Sequence, residues 1–291
     1  MGGEISGIDQ KLARFATEAL LTMRLVVGSN YLQRKELREF LSKSKSNFAV
    51  LTDYASTEAY KGNTLVSIYK SMAILSEYPK QVLMLKGTQT VCGLRGRRAG
   101  LQRRLIDERQ TKGFPLYCKH LHAAKCGDAR LQRRLLQLGQ EADAQMDRIL
   151  VDAKKTAEHI EGLARKFTFA ELKAIRTRGP ISDDAKEKII KNIMWMAGFL
   201  FRDHPQTKKL PPWNETPNTF IFRLAICIYL WALDWISVGG AIDASPARIR
   251  NDIVDLNFAA YATFFDGLLT SDRKLARLCR SATKLYRVAF K

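Results

Sequence analysis

Along most of this chain apolar residues recur at helical spacing, and only a few short continuous apolar runs interrupt the pattern. Residues 8–27 set Ile8, Leu12, Phe15, Ala19 and Met23 at that spacing, and residues 31–41 continue as a second helix through Leu32, Leu37 and Leu41. Polar residues 42–47 end it. Phe48-Ala49-Val50-Leu51-Thr52 then has the length and apolarity of a buried strand and stops at Asp53. A helix over residues 65–77, halted near Pro79, and a second apolar run over residues 81–85 complete a β-α-β unit. A carboxylate at the C-terminal end of a strand is where open parallel α/β sheets place their sites.

From Gly87 to about Lys209 the texture changes to Ala, Leu, Gln, Arg, Lys and Glu at helical period. Leu101-Gln102-Arg103-Arg104-Leu105 recurs at residues 131–135, which reads as two basic helix faces of similar construction rather than a solenoid repeat. Ser182-Asp183-Asp184 starts a helix with an apolar body over residues 189–201, and the proline-rich residues 210–218 form the clearest linker. Residues 220–238 are a strongly apolar helix closed by Gly239-Gly240, with Arg223 and Asp234 three turns apart on one face. Its uncharged run, residues 224–233, is too short to span a bilayer, so no transmembrane segment is expected. The last unit reads as a helix over residues 252–265, a turn at Asp266-Gly267, a short strand through Leu268-Leu269, then Asp272 and a basic amphipathic helix over residues 274–290.

Composition adds a charge to this outline. Forty-eight Lys and Arg against 29 Asp and Glu give a formal charge of +19 in 291 residues, a balance that favours polyanion binding through counterion release. The excess is uneven: residues 86–134 hold 13 basic residues against Asp107, Glu108 and Asp128, and residues 273–291 hold seven and no acid. Arg97, Arg98, Arg103, Arg104, Arg133 and Arg134 are the expected phosphate contacts. Five cysteines without tight spacing fit a reducing cytoplasm, and nothing in the N-terminal segment reads as a signal peptide. Cys118, His120, His122 and Cys126 lack the usual zinc spacing on a helical segment and read as packing or phosphate contacts. The absence of a Gly-rich phosphate loop and of a Gly-x-Ser-x-Gly elbow argues against a nucleoside triphosphatase or an α/β-hydrolase.

Within this basic chain, Asp252, Asp255, Asp266 and Asp272 form a local reversal of charge, as a metal pocket inside a phosphate-binding surface would. Any one of the acids could be a helix cap; their joint placement at a helix start and at strand ends favours a metal site, with Asp266 read as a turn residue. Asp255 with Phe258-Ala259-Ala260, followed by Leu269-Thr270-Ser271-Asp272, resembles the closing motif of PIN-domain nucleases, and Asp53 after its apolar run resembles the family's opening strand-Asp. The resemblance covers two blocks, residues 46–85 and 219–276. It implies an α/β/α sandwich with a short parallel sheet, predominantly helical overall here, and metal-dependent hydrolysis of RNA phosphodiesters. Asp53, Asp255 and Asp272 take the motif positions, and Asp252 extends them as in PIN-like variants that read N-D-x-x-D. The remaining acid is Glu58 or Asp234, Glu58 being favoured.

The implied organisation is N-terminal helices over residues 1–45, a discontinuous catalytic core over residues 46–85 and 219–276, a basic helical insertion over residues 86–218, and a basic C-terminal helix over residues 277–291. The expected cofactor is Mg²⁺ or Mn²⁺ held by hard carboxylate oxygens. Thr270 or Ser271 would orient a water or an acid, and Asn251 and Lys274 would meet the nucleic acid. RNA is the expected partner, with DNA as the alternative, beside an inhibitory protein or a second copy of the chain; a cytoplasmic toxin or defence effector fits this description. The rival readings are a non-catalytic nucleic-acid-binding scaffold on a degenerate PIN-like core, and a DNA-directed, flap-type nuclease.

Overall fold

A computed structural model describes residues 22–150, 153–177, 179–207 and 209–290. Its sheet begins with β1 (Met23–Val27), where Val26 and Val27 are fully buried. A short 3₁₀ turn leads into α1 (Lys35–Lys43), whose Leu37 and Leu41 face the core, and then β2 (Asn47–Leu51). After it come α2 (Asp53–Glu58), α3 (Thr64–Glu77) and β3 (Val82–Met84). The long helical stretch holds α4 (Thr88–Cys92), α5 (Leu101–Leu105), α6 (Glu108–Lys125), α7 (Ala129–Leu150), α8 (Ala153–Ala164), α9 (Phe169–Thr177) and α10 (Asp183–Asp203). The chain closes with α11 (Phe220–Ser237), α12 (Pro246–Ala262), β4 (Gly267–Leu269) and α13 (Arg273–Ala289).

The strands are all parallel, in the order β3-β2-β1-β4, with Leu25 opposite Ala49 on one side and opposite Gly267 on the other. A small parallel sheet among many helices is the α/β class expected. Because the strands are parallel, residues 28–30, 52–53, 85–87 and 270–272 all emerge at one edge. The order reverses beside β1, which puts the crevice between the ends of β1 and β4, the position where such sheets bind ligands.

β1 corrects the helical expectation for residues 8–27; residues 8–21 lie outside the described residues. A central parallel strand is buried on both faces and shows no alternation, so Leu25-Val26-Val27 could equally continue a helical face read from Met23. The correction moves the core boundary. Residues 22–45 of the expected N-terminal helical segment instead join the core, since β1 is an inner strand and α1 packs on β2. The helical stretch packs into the same core: Leu85 bridges Ile106, and Phe114, Leu121, Ala124, Leu135 and Ile193 share one buried cluster with Val26 and Val50.

α11 is long and apolar enough to cross a membrane by length and composition, but 67% of that window is buried by protein. It packs against α8, α9, α10, α12 and α13, so its apolarity serves the core. Arg223 and Asp234 do not act together on it. Arg223 is buried and donates to Pro217 O, Thr263 O and Tyr286 Oη, whereas Asp234 pairs with Arg277 at 3.0 Å.

Ser245 caps α12, its hydroxyl accepting from Arg248 N, and Pro246 fills the first helical position. The helix therefore starts before Asp252, and Asp252 and Asp255 lie in its interior. Neither is a cap.

Candidate active site

α12 packs on β1, β4 and α2, and this brings its acidic positions to the carboxyl edge of the sheet. Asp255 is there. Its carboxylate is pushed up to about 7, first by burial and then by the charges of Asp272, Glu58 and Asp252, with Lys274 opposing the rise. Four acids from α2, α12 and the start of α13 thus share one field around a single side chain.

The four are held in different ways. Asp252 Oδ2 accepts from Trp231 Nε1 at 2.7 Å, Trp235 Nε1 at 3.1 Å and Lys274 Nζ at 2.6 Å. Asp272 caps α13, its Oδ1 accepting from Lys274 N at 2.6 Å and Leu275 N at 3.0 Å, so the capping role is real for this acid. Both anchored acids use one oxygen, leaving the other without a hydrogen bond among the described residues. The side chains of Asp255 and Glu58 have no hydrogen-bond or ion-pair partner among the described residues. The site is two fixed carboxylates beside two open ones.

Asp53 is elsewhere engaged. Its Oδ2 accepts from Thr88 N at 2.6 Å and its Oδ1 from Thr88 Oγ1 at 2.8 Å, which ties the start of α4 to the end of β2. Its charge is felt by Tyr54, Cys92 and Tyr261 and is absent from the influences on Asp255. Nor does Asp53 follow the first strand among the described residues, β1, which runs into Gly28-Ser29-Asn30 with no carboxylate. Asn30 Oδ1 meets Thr270 Oγ1 at 3.2 Å, joining the ends of β1 and β4, and Thr270 Oγ1 accepts from Asp272 N at 3.1 Å. Of the two candidates for the remaining acid, Glu58 lies in the field of Asp255 and Asp234 does not. Asp266 closes its turn on β1, accepting from Arg24 N at 2.7 Å.

Trp231, Trp235, Asn30 and Thr88 had no place in the sequence-based site. A signal existed for the tryptophans: two indoles four apart on a nearly uncharged helix each need an acceptor when buried. None existed for Thr88.

The basic residues divide too. Arg98, Arg133 and Asn251 are exposed, Asn251 within 3.4 Å of Arg250. Arg103 pairs with Glu108 at 3.2 Å, Arg97 with Glu215 at 3.9 Å, and Arg134 donates to Gln137 at 2.8 Å. Arg104 turns inward and donates to the carbonyls of Arg95, Arg97 and Ala99, so it holds its own loop. Lys274 is committed to Asp252, and Ser271, exposed, gives its backbone N–H to Asn30. Cys118, His120, His122 and Cys126 stand on or just after one helix; His122 Nε2 lies 3.7 Å from Cys126 Sγ, while Cys118 hydrogen-bonds Ser76.

Among the described residues no three His, Cys, Asp or Glu side chains already converge to hold a metal ion. The open oxygens of Asp255 and Glu58 are nevertheless the hard donors that Mg²⁺ or Mn²⁺ takes, and such an ion commonly binds through one or two carboxylates while keeping several waters. The likeness is one of donor chemistry, carboxylate oxygen for a hard cation. No family model, curated protein or solved structure matches the chain.

Proposed function

We propose that the chain is a metal-dependent, PIN-like endoribonuclease that hydrolyses RNA phosphodiester bonds at the carboxyl edge of its sheet. The observation that carries the reading is Asp255, an unpaired, half-buried carboxylate in the field of Asp272, Glu58 and Asp252. With its carboxyl raised to about 7, such a group takes up a proton or a cation readily near neutral pH. A divalent ion there would supply a hydroxide-like water and neutralise the leaving oxygen. Asp255 and Glu58 are its proposed holders. Asp252 and Asp272, fixed by the indoles, Lys274 and the helix start, supply negative field and orientation, and Asn30 with Thr270 keeps the two strand ends together.

A second reading, a nucleic-acid-binding scaffold without turnover, is favoured by Lys274, which already gives Asp252 a cation, and by the missing carboxylate after β1. Labelled RNA and DNA incubated with Mg²⁺, Mn²⁺ or chelator decide between them. Metal-dependent cleavage of RNA that is lost in Asp255→Asn supports the nuclease; binding with no cleavage under any condition supports the scaffold, and equal cleavage of DNA a broader nuclease. A role as toxin or defence effector rests on the activity, and requires growth arrest on expression that Asp255→Asn relieves.

A further inference from the structure

The outer face of α10 carries aromatic side chains that the core does not use. Ile189, Ile193, Ala197 and Phe201 bury the inner face, while Trp195 is 63% and Phe199 41% exposed. One turn apart, the two rings stack with centroids 6.0 Å apart and planes 24° from parallel. A cation stands at each end of the pair: Lys166 Nζ lies 4.7 Å from the Trp195 ring centre and Arg202 Cζ 4.9 Å from that of Phe199. Lys166 comes from the segment after α8, so two separate parts of the chain build the row. Arg202 also donates through Nε to Asp203 at 3.3 Å, and nearby Lys191 is paired with Glu187 at 2.6 Å.

We infer that this cation–aromatic–aromatic–cation row is a stacking platform for single-stranded RNA. Exposed aromatic faces take bases of any sequence, and flanking cations take the phosphates between them. A cation over an exposed ring is weakly held, so the flexible Lys166 chain can swing from ring to phosphate as a base covers the indole. An apolar partner protein would gain nothing from the two cations, whereas a polyanion gains from both and from the +19 charge of the chain. The inference rests on the reading that the chain takes RNA, but not on cleavage.

The test is fluorescence anisotropy of the full chain in chelator, with a labelled single-stranded RNA dodecamer and an abasic oligomer carrying the same number of phosphates. The double variant Trp195→Ala/Phe199→Ala is expected to lose about tenfold or more in affinity for the RNA, with the abasic oligomer nearly unaffected and Trp195→Phe retaining most of the binding. Unchanged circular dichroism and melting would show that the exposed substitutions leave the fold intact. Equal RNA affinity in wild type and double variant overturns the platform, as does an equal loss on both oligomers. A double variant that alters only self-association in sedimentation, with RNA affinity unchanged, assigns the face to a second copy and also overturns it. Chelator removes turnover from the measurement, so failure to cleave in the metal assay leaves this result standing, and loss of stacking leaves the cleavage result standing.

Discussion

Lys274 Nζ lies 2.6 Å from Asp252 Oδ2, the oxygen that also receives the indole N–H groups of Trp231 and Trp235, and 5.1 Å from the centre of the Trp235 ring. One carboxylate oxygen therefore joins α11, α12 and α13. Asp252, read from sequence as a metal ligand, is here a tie between helices whose charge also acts on Asp255.

Asp252→Ala is expected to destabilise the protein by about 1–3 kcal/mol, since two indole donors and an ammonium lose their acceptor together. Urea unfolding at constant pH measures it. A variant as stable as wild type would show that the three donors find water instead.

Asp255→Asn should act in the opposite direction and with a pH signature. The ordinary carboxyl value is 3.8 and the folded value about 7, so between them the native state keeps a proton that the unfolded chain has released. Stability from this group is complete below about pH 4 and is lost as pH rises through 7. The asparagine carries no such penalty, so its advantage over wild type should grow from near zero at pH 4 to at most about 4 kcal/mol above pH 7. Urea midpoints from pH 4 to 8 test this; a difference that does not vary with pH would remove the crowding account of Asp255.

The meeting of Asp255 and Asp272 was legible in sequence because both lie within one local unit of helix, turn, strand and helix, whose period changes and turn residues are explicit. Glu58 was legible only as one of two choices, because its approach to Asp255 depends on how α2 meets α12 across roughly two hundred residues of chain. Asp53 has a structural partner that the sequence could not show. An acid after a buried strand looks the same whether it faces a ligand or receives the N–H groups of another helix start, and here Thr88 decides. β1 was hidden because a strand buried on both faces at Val26 and Val27 carries no alternation there, and with it went the recognition that the first strand among the described residues ends without an acid.

Divalent cations provide the third test. Mg²⁺ or Mn²⁺ at pH 7.5 is expected to raise the melting temperature of wild type, by the equivalent of about 2.7 kcal/mol at a hundred times its dissociation constant. The gain should shrink as pH falls, because the ion displaces a proton. Glu58→Gln and Asp255→Asn should lose it. Asp53→Ala should start lower, having lost the Thr88 contacts, yet keep the full gain; loss of the metal response in Asp53→Ala would restore Asp53 to the site.

The salt dependence of RNA binding separates arginines that meet phosphates from those that build the surface. For single strands the slope of log affinity against log salt falls by about 0.7 for each phosphate contact removed. Arg98 and Arg133 are exposed, so alanine at either should lower the slope by about that amount with little change in melting temperature. Arg104 holds the carbonyls of Arg95, Arg97 and Ala99, so Arg104→Ala should loosen that loop and lower stability. Its effect on affinity should come through the displacement of Arg97 and Arg98. Proteolysis of residues 95–99 beside a binding titration distinguishes the two roles: faster cleavage there in Arg104→Ala is expected, and a slope change with no change in proteolysis would instead make Arg104 a phosphate contact.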